Sequence, residues 1–117
     1  MEITTTALDG VTVIKLSGSL DGNTVNAAQE MILPLASTKG AAVIMDLGAC
    51  AYISSAGLRL LLMAAKQMSA IGGVMVLSGL SPEVQDVMEM TGFNNFFKSF
   101  EDVPSAFSAL TTVKKGA

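Results

Sequence analysis

The amino-acid sequence predicts an α/β fold, a single domain with a mixed β-sheet of about four to five strands covered by about four helices. Three observations support this prediction. The 117 residues suit one domain, and 50% of them are apolar, which is enough to form a core. The chain opens with the signal of a β-hairpin. After the hairpin, short apolar runs alternate with segments of helical periodicity, which is typical of parallel strands flanked by helices.

The N-terminal hairpin is predicted by two runs rich in Val, Ile and Thr, Ile3–Leu8 and Val11–Ser17. They bracket Asp9-Gly10, a dipeptide that favours a tight turn between strands. We therefore expect two antiparallel strands at the start of the sheet.

The first helix is expected to follow a loop over residues 18–23. Asn23 or Thr24 is the predicted cap, because short polar side chains satisfy the backbone at a helix start. Pro34 should end or kink the helix near Leu33, since proline removes one backbone hydrogen bond and clashes with the preceding turn.

The centre of the chain is predicted to hold a buried strand, Ala41–Leu47, followed by a loop over Gly48–Ser54. Its continuous apolar run indicates a strand covered on both faces. Ser54 or Ser55 caps a second helix, Ala56 to about Ala70, which a glycine pair terminates. The helix core stripe is expected to comprise Leu58, Leu61, Leu62, Ala65 and Met68.

Four further elements complete the predicted fold. Serine as cap and proline at the first helical position mark the start of the third helix, and Gly92 ends it. The tail over residues 113–117 is expected to fray. In chain order the elements are a strand at Val74–Leu77, a helix from Ser81-Pro82, a short strand or extended segment at Phe96–Phe100 and a helix at Asp102–Thr112.

Composition limits the function. Net charge is −3 and the basic residues are scattered, which disfavours nucleic acid or an anionic membrane as partner. The N-terminus has no signal-peptide pattern, and no stretch approaches the roughly 20 apolar residues of a membrane span. The single cysteine, Cys50, fits a reducing compartment. We therefore expect a cytoplasmic protein.

The segment Tyr52–Leu58, Tyr-Ile-Ser-Ser-Ala-Gly-Leu, joins the buried strand to the start of an apolar helix. A helix start offers unpaired backbone N–H groups and a positive dipole end, so it accommodates a phosphate on a nearby hydroxyl. Gly57 costs roughly 1 kcal/mol of helix stability relative to alanine, but it allows another backbone to approach closely. The segment is therefore a candidate phosphorylation site. In the alternative, Ser54 and Ser55 only cap the helix.

Several motifs occur in a characteristic order: Gly18-Ser19-Leu20-Asp21, Val43–Leu47, Tyr52–Leu58, Gly72-Gly73, Ser81–Val84 and Thr91–Phe93. Together they resemble the anti-sigma factor antagonists, single-domain members of the STAS family, over nearly the whole chain. The resemblance implies a STAS-like fold. The family motif often reads Asp-Ser-Ser-Gly-Leu or Asp-Ser-Ala-Gly-Leu. Laid on this chain, it implies that Ser55 is the phosphoacceptor and that Ser54 replaces the aspartate.

The resemblance also implies a partner-switching mechanism. The unmodified chain would bind an anti-sigma factor that is also a serine kinase, and so free the sigma factor. The kinase would use its own ATP to phosphorylate Ser55, adding a charge of about −1.5 to −2 that repels the partner. A PP2C-type phosphatase would reset the switch. No cofactor is expected on this chain, and no enzymatic activity.

The expected partner surface centres on Ser55 and the exposed face of the second helix. Asp21 matches a family aspartate at the edge of this surface, or else is only a turn residue. Leu60 and Met63 lie off the predicted core stripe and offer an adaptable contact surface, unless both pack beneath a neighbouring helix. The partner-binding residues are predicted to be Asp21, Asn23, Ser54, Ser55, Ala56, Gly57, Leu58, Arg59, Leu60 and Met63.

Four other functions compete. A serine-nucleophile enzyme needs a base, and the chain has no histidine. A receiver domain that uses Asp46 needs a cluster of acids to hold Mg²⁺, which the strand ends do not supply, so Asp46 is expected to be structural. A metal site of another kind is disfavoured, because the chain has no histidine and a single cysteine to serve as ligands. An accessory subunit of a transporter or scaffold complex stays open, because fold alone does not determine the partner.

Overall fold

Strands and helices alternate in the predicted order. The computed structural model describes residues 1–37 and 39–116, with side chains described up to residue 111. A 3₁₀ turn at Phe93–Asn95 was not predicted. The α/β class and the opening hairpin are confirmed. Within the described residues the elements are β1 (Glu2–Leu8), β2 (Val11–Leu20), α1 (Val25–Leu35), β3 (Ala42–Ile53), α2 (Ser55–Ala70), β4 (Val74–Ser78), α3 (Pro82–Thr91), β5 (Ser99–Phe100) and α4 (Val103–Gly116).

The strands form a sheet with the order β1-β2-β3-β4-β5. β1 and β2 are antiparallel, whereas the later pairs are parallel. Asp9 and Gly10 form the hairpin turn with φ of 47° and 83°, the positive values that a type I′ turn requires. Each parallel pair needs a crossover connection, and α1, α2 and α3 provide these crossovers.

Helices cover the two faces of the sheet unequally. α1, α2 and α3 pack on one face against alternate strand residues, among them Val43 and Met45. Ala42 and Ile44 point to the other face and pack with Ala106 of α4. Because side chains alternate along a strand, the first half of β3, Ala42–Leu47, is covered on both faces, as its continuous apolar run predicted.

Two strands extend beyond their predicted ends. β2 continues to Leu20 through a segment predicted as a loop, and β3 continues to Ile53 instead of ending at Leu47. The extension of β3 pairs with the end of β2, from Ser17 opposite Ala49 to Leu20 opposite Ile53. Register shifts within this stretch bulge β3 and bend its end. The loop predicted after Leu47 is therefore wrong, because it is mostly strand.

α1 continues through Pro34 and ends at Leu35, so the end predicted near Leu33 is slightly too early. The proline lies in the last turn of α1. It breaks little of the helix there, because few intrahelical hydrogen bonds remain to be formed after it. The carbonyl of Leu33 accepts hydrogen bonds from Ser37 Oγ (2.8 Å) and Gln67 Nε2 (3.1 Å). These two side chains stabilise the helix end that the proline weakens.

The later helices begin with side-chain caps. Ser81 Oγ accepts from the N–H of Val84 (3.2 Å), and Gly92 ends α3 with φ of 78°, both as predicted. At α4, Asp102 Oδ1 accepts from the N–H of Ser105 (2.9 Å), and this bond lowers the pKa of the Asp102 carboxyl.

The last helix is longer than the predicted Asp102–Thr112 and runs to Gly116. A frayed tail was predicted over residues 113–117. The side chains of these residues, and the backbone of residue 117, lie outside the described part of the chain. Within the described ranges, no helix combines the length and apolar character needed to cross a membrane.

Candidate functional site

The start of α2 is anchored to the end of β2. The Ser54 N–H donates to the carbonyl of Leu20 (2.9 Å), directly after the paired residues Leu20 and Ile53. Ser54 has an extended backbone, and its Oγ accepts from the Gly57 N–H (3.2 Å). Ser54 is therefore the helix cap that the sequence left undecided. We call residues 54–57 the Ser55 corner.

Ser55 is the first residue of α2, and its side chain is exposed. Within residues 1–37 and 39–111, no group hydrogen-bonds to its hydroxyl, and the N–H groups of Ser55 and Ala56 have no acceptor. These open donors lie at the positive end of the helix dipole. The corner thus presents a solvent-facing hydroxyl beside backbone groups that favour an anion.

Gly57 is buried where α2 presses against the ends of two strands. A Cβ built on it would lie 2.8 Å from the Leu20 carbonyl oxygen and 2.9 Å from Ile53 Cγ1. Contacts below 3.0 Å leave no room for a side chain without a shift of the backbone. The close approach predicted at this glycine is therefore internal, between α2 and β2.

Asp21 and Asn23 form the turn next to the corner. Asp21 Oδ1 accepts from the Asn23 N–H (2.9 Å), and the Asp21 N–H donates to Thr24 Oγ1 (3.0 Å). Thr24 Oγ1 donates to the carbonyl of Ser19 (2.8 Å), so Thr24 occupies the cap position of α1 without its side chain capping the helix. Asp21 is thus a half-buried turn residue, and Asn23 beside it is exposed.

A line of exposed side chains follows Ser55 along α2. Arg59 and Met63 succeed it at intervals of four residues, which places the three on one helix face. Met63 is 46% exposed. We call Ser55, Arg59 and Met63 the outer stripe. It combines a hydroxyl, a cation and a flexible apolar side chain, the last being adaptable in contact.

Three residues assigned to the partner surface are core residues. Leu58 and Gly57 are buried, and Leu60, expected to be exposed beside Met63, is only 2% exposed. The reason is that α2 packs against α1 as well as the sheet, which widens its buried arc. Of the two alternatives left open for this pair, Leu60 packs in the core and does not lie on the exposed face, whereas Met63 is exposed.

Tyr52 is an exposed residue of this region that the sequence-based site omitted. Its side chain is 53% exposed, two residues before the cap. With Ile53 it borders an apolar depression of about 170 Å³, closed on the other side by Val84 and Val87 of α3. Tyr52 is the chain's one tyrosine. Tyr52 was left out of the predicted site because its segment was predicted as a loop. Only in a strand does the alternation of side chains between two faces indicate which residues are exposed.

Asp46 and Cys50 lie in the bulged part of β3. Asp46 Oδ1 accepts from the Gly48 N–H (2.9 Å), and this bond shapes the bulge of β3. Asp46 therefore has a structural role, but within a strand and not at the strand end. Burial raises the pKa of the Cys50 thiol, which opposes thiolate chemistry. Among the described residues, no three His, Cys, Asp or Glu side chains are grouped to share a metal ion.

The division of roles between the two serines gives a direct test. Ser54→Ala is expected to lower the free energy of unfolding by about 1 kcal/mol, because the Gly57 N–H loses its acceptor. Ser55→Ala is expected to change it by less than about 0.5 kcal/mol. Urea unfolding followed by circular dichroism measures both. A larger loss in Ser55→Ala than in Ser54→Ala would contradict the assignment of the cap.

Comparison with known proteins identifies the family. The family model of the STAS domain matches residues 2–106. BtrV of Bordetella bronchiseptica, provisionally named an anti-sigma factor antagonist, is 39% identical over 114 residues. The match covers 96% of this chain and 97% of BtrV.

Solved structures of low identity share the fold. The anti-sigma factor antagonist SpoIIAA matches in its unphosphorylated form, with a TM-score of 0.77, 19% identity and coverage of 95% of this chain and 97% of that chain. A sulfate transporter family protein of Wolinella succinogenes matches with a TM-score of 0.80, 16% identity and coverage of 94% and 92%. Identities this low show the fold alone. The family model and the relative at 39% identity show that this chain belongs to the STAS domain family, as its motifs indicated.

Proposed function

We propose that this chain is an anti-sigma factor antagonist that acts in the cytoplasm as a binding protein. Its unmodified form binds an anti-sigma factor that is also a serine kinase, and the sigma factor is thereby released. The kinase transfers the γ-phosphate of its own ATP to Ser55 Oγ, with ADP as the leaving group and loss of the hydroxyl proton. Binding then ends, and a PP2C-type phosphatase removes the phosphate.

One observation carries this proposal: Ser54 provides the helix cap, and the Ser55 hydroxyl is left exposed beside it. A kinase needs an accessible hydroxyl whose modification does not unfold its substrate. A phosphate on Ser55 would lie beside the open N–H groups of Ser55 and Ala56. Both these donors and the helix dipole favour the added charge, so the modified chain is expected to stay folded.

The surroundings of Ser55 suit a protein partner. Tyr52, Arg59 and Met63 are exposed near it, and these residue types are enriched at protein interfaces. A partner docked on the outer stripe would exclude water from Ser55. A phosphate there would add a charge of about −1.5 to −2, of which Arg59 on the same face could neutralise only part, so docking would cost more desolvation and binding would weaken.

Ser54 retains one property of the family residue that it replaces. Aspartate and serine are both preferred helix caps, and Ser54 makes the cap bond to Gly57. The exchange therefore keeps the geometry of the helix start and removes one negative charge from the docking surface. We expect the kinase of this chain to lack a cation dedicated to that position.

The competing functions have less support. A serine hydrolase would need a base beside Ser55, and none is hydrogen-bonded to it within the described residues. An accessory role in a transporter complex is supported by similarity of fold, which does not determine function. The relative at 39% identity favours the anti-sigma role.

Affinity capture of the unmodified chain, followed by phosphorylation in vitro, tests the proposal. The captured partner is expected to be an ATP-binding serine kinase, and with ATP it should add one phosphate at Ser55, located by mass spectrometry. Ser55→Ala should be captured equally well but remain unphosphorylated. Phosphate on Ser54 or Ser78, or capture of a transporter ATPase instead, would refute the proposal.

A further inference from the structure

The two edges of the sheet differ in their protection against pairing. β5 has only two residues, and Lys98, Glu101 and Asp102 flank it. Short length and charge are common means of preventing edge-to-edge pairing. β1 has seven residues, and from Ile3 to Leu8 it contains no charge and no proline. Six of the seven residues of β1 are exposed. Within the described residues, the stretch Ile3–Leu8 of this edge therefore lacks the usual protections of an edge strand, which are short length, charge and proline.

The register of the hairpin shows which backbone groups of β1 are available. Leu8 and Val11 flank the two-residue turn and form a hydrogen-bonded pair in such hairpins. Hydrogen-bonded and non-hydrogen-bonded pairs alternate along an antiparallel ladder. The N–H and C=O groups of Ile3, Thr5 and Ala7 therefore point away from β2 and toward solvent.

We infer that β1 pairs antiparallel with β1 of a second copy of this chain, about a two-fold axis at Thr5. In this register Thr5 faces Thr5, Ile3 faces Ala7, and Glu2 faces Leu8 of the second copy. No like charges meet, and all outward groups of Ile3, Thr5 and Ala7 find partners. The strand is thus complementary to itself, as a closed two-fold interface requires.

The interface joins the two sheets edge to edge and is narrow. A single pair of strands buries less than the roughly 1,000 Å² typical of stable complexes, so the dimer is weak and dissociates on dilution. β1 begins at Glu2 opposite Ser17, whereas β2 continues past this point to Leu20 before meeting the Ser55 corner. Dimerisation leaves that corner accessible and does not depend on the proposed function.

A charge exchange at Thr5 tests the inferred axis. Thr5→Lys and Thr5→Glu each place like charges opposite each other, and each alone is expected to weaken dimerisation about fivefold. An equimolar mixture of the two places opposite charges together and is expected to restore dimers to at least the wild-type level. Sedimentation equilibrium between about 10 µM and about 1 mM measures the dissociation constants.

Leu8→Lys is the matched control, because its new charge meets Glu2 of the second copy and should preserve the dimer. Thr5→Pro removes an outward N–H without removing a bond to β2, and is expected to weaken dimerisation more than tenfold. Circular dichroism of each variant verifies folding. A wild-type chain that stays monomeric at about 1 mM, or a mixture that dimerises no better than its components, would overturn the inference.

Discussion

Phosphorylation at Ser55 is expected to weaken binding to the anti-sigma factor by about a hundredfold or more. The phosphate adds a charge of about −1.5 to −2 to the proposed docking surface, which a bound partner would dehydrate, and a loss of about 3 kcal/mol corresponds to that factor. Ser55→Asp carries less charge and is expected to weaken binding about tenfold. Ser55→Ala should bind like the wild type. Isothermal titration with the purified partner measures all four forms.

Ser108→Asp is the control for this effect. It introduces the same side chain and the same net charge at an exposed serine of α4, on the opposite face of the sheet. Its affinity should equal that of the wild type. If Ser108→Asp weakens binding as much as Ser55→Asp, the effect is one of total charge, and the assignment of the Ser55 corner as the docking site fails.

Gly57→Ala is expected to lower the free energy of unfolding by about 2 kcal/mol. Helix propensity alone predicts the opposite, a gain of about 1 kcal/mol. The propensity gain is outweighed because the new methyl group would lie 2.8 Å from the Leu20 carbonyl oxygen. To relieve this contact, α2 must move away from β2, which disturbs the bond from Ser54 to Leu20.

Gly22→Ala is the matched control, since a Cβ there meets nothing within 4 Å. Chemical denaturation should show Gly22→Ala close to the wild type and Gly57→Ala clearly destabilised. A Gly57→Ala variant that is more stable than the wild type would mean that propensity dominates, and that α2 is not tightly packed on the strand ends.

The order of the elements could be predicted because each carries local signals. The turn at Asp9-Gly10 and the cap at Ser81 each depend on a few neighbouring residues. The length of β3 could not be predicted in this way. Residues 48–51, Gly-Ala-Cys-Ala, have little strand propensity. They form a strand because the end of β2 pairs with them, which is a tertiary effect.

The candidate site was predicted only in part for similar reasons. Ser54 and Ser55 are equally suitable as caps, and only the backbone shows that the helix begins after Ser54. Leu60 was assigned to the surface because a single core stripe was assumed for α2. Periodicity does not reveal that α1 covers a second side of that helix. Met63, beyond the reach of both neighbours, was placed correctly.

The anchoring of α2 to β2 limits how a modification of this corner is transmitted. The bond from Ser54 to Leu20 and the lack of space at Gly57 hold the helix start in one arrangement. Proteins that signal by changing shape need two arrangements of similar free energy, whose populations a ligand shifts. A modification that the partner contacts directly does not need such a pair. The response time would then be set by phosphate transfer and removal and by association and dissociation of the partner.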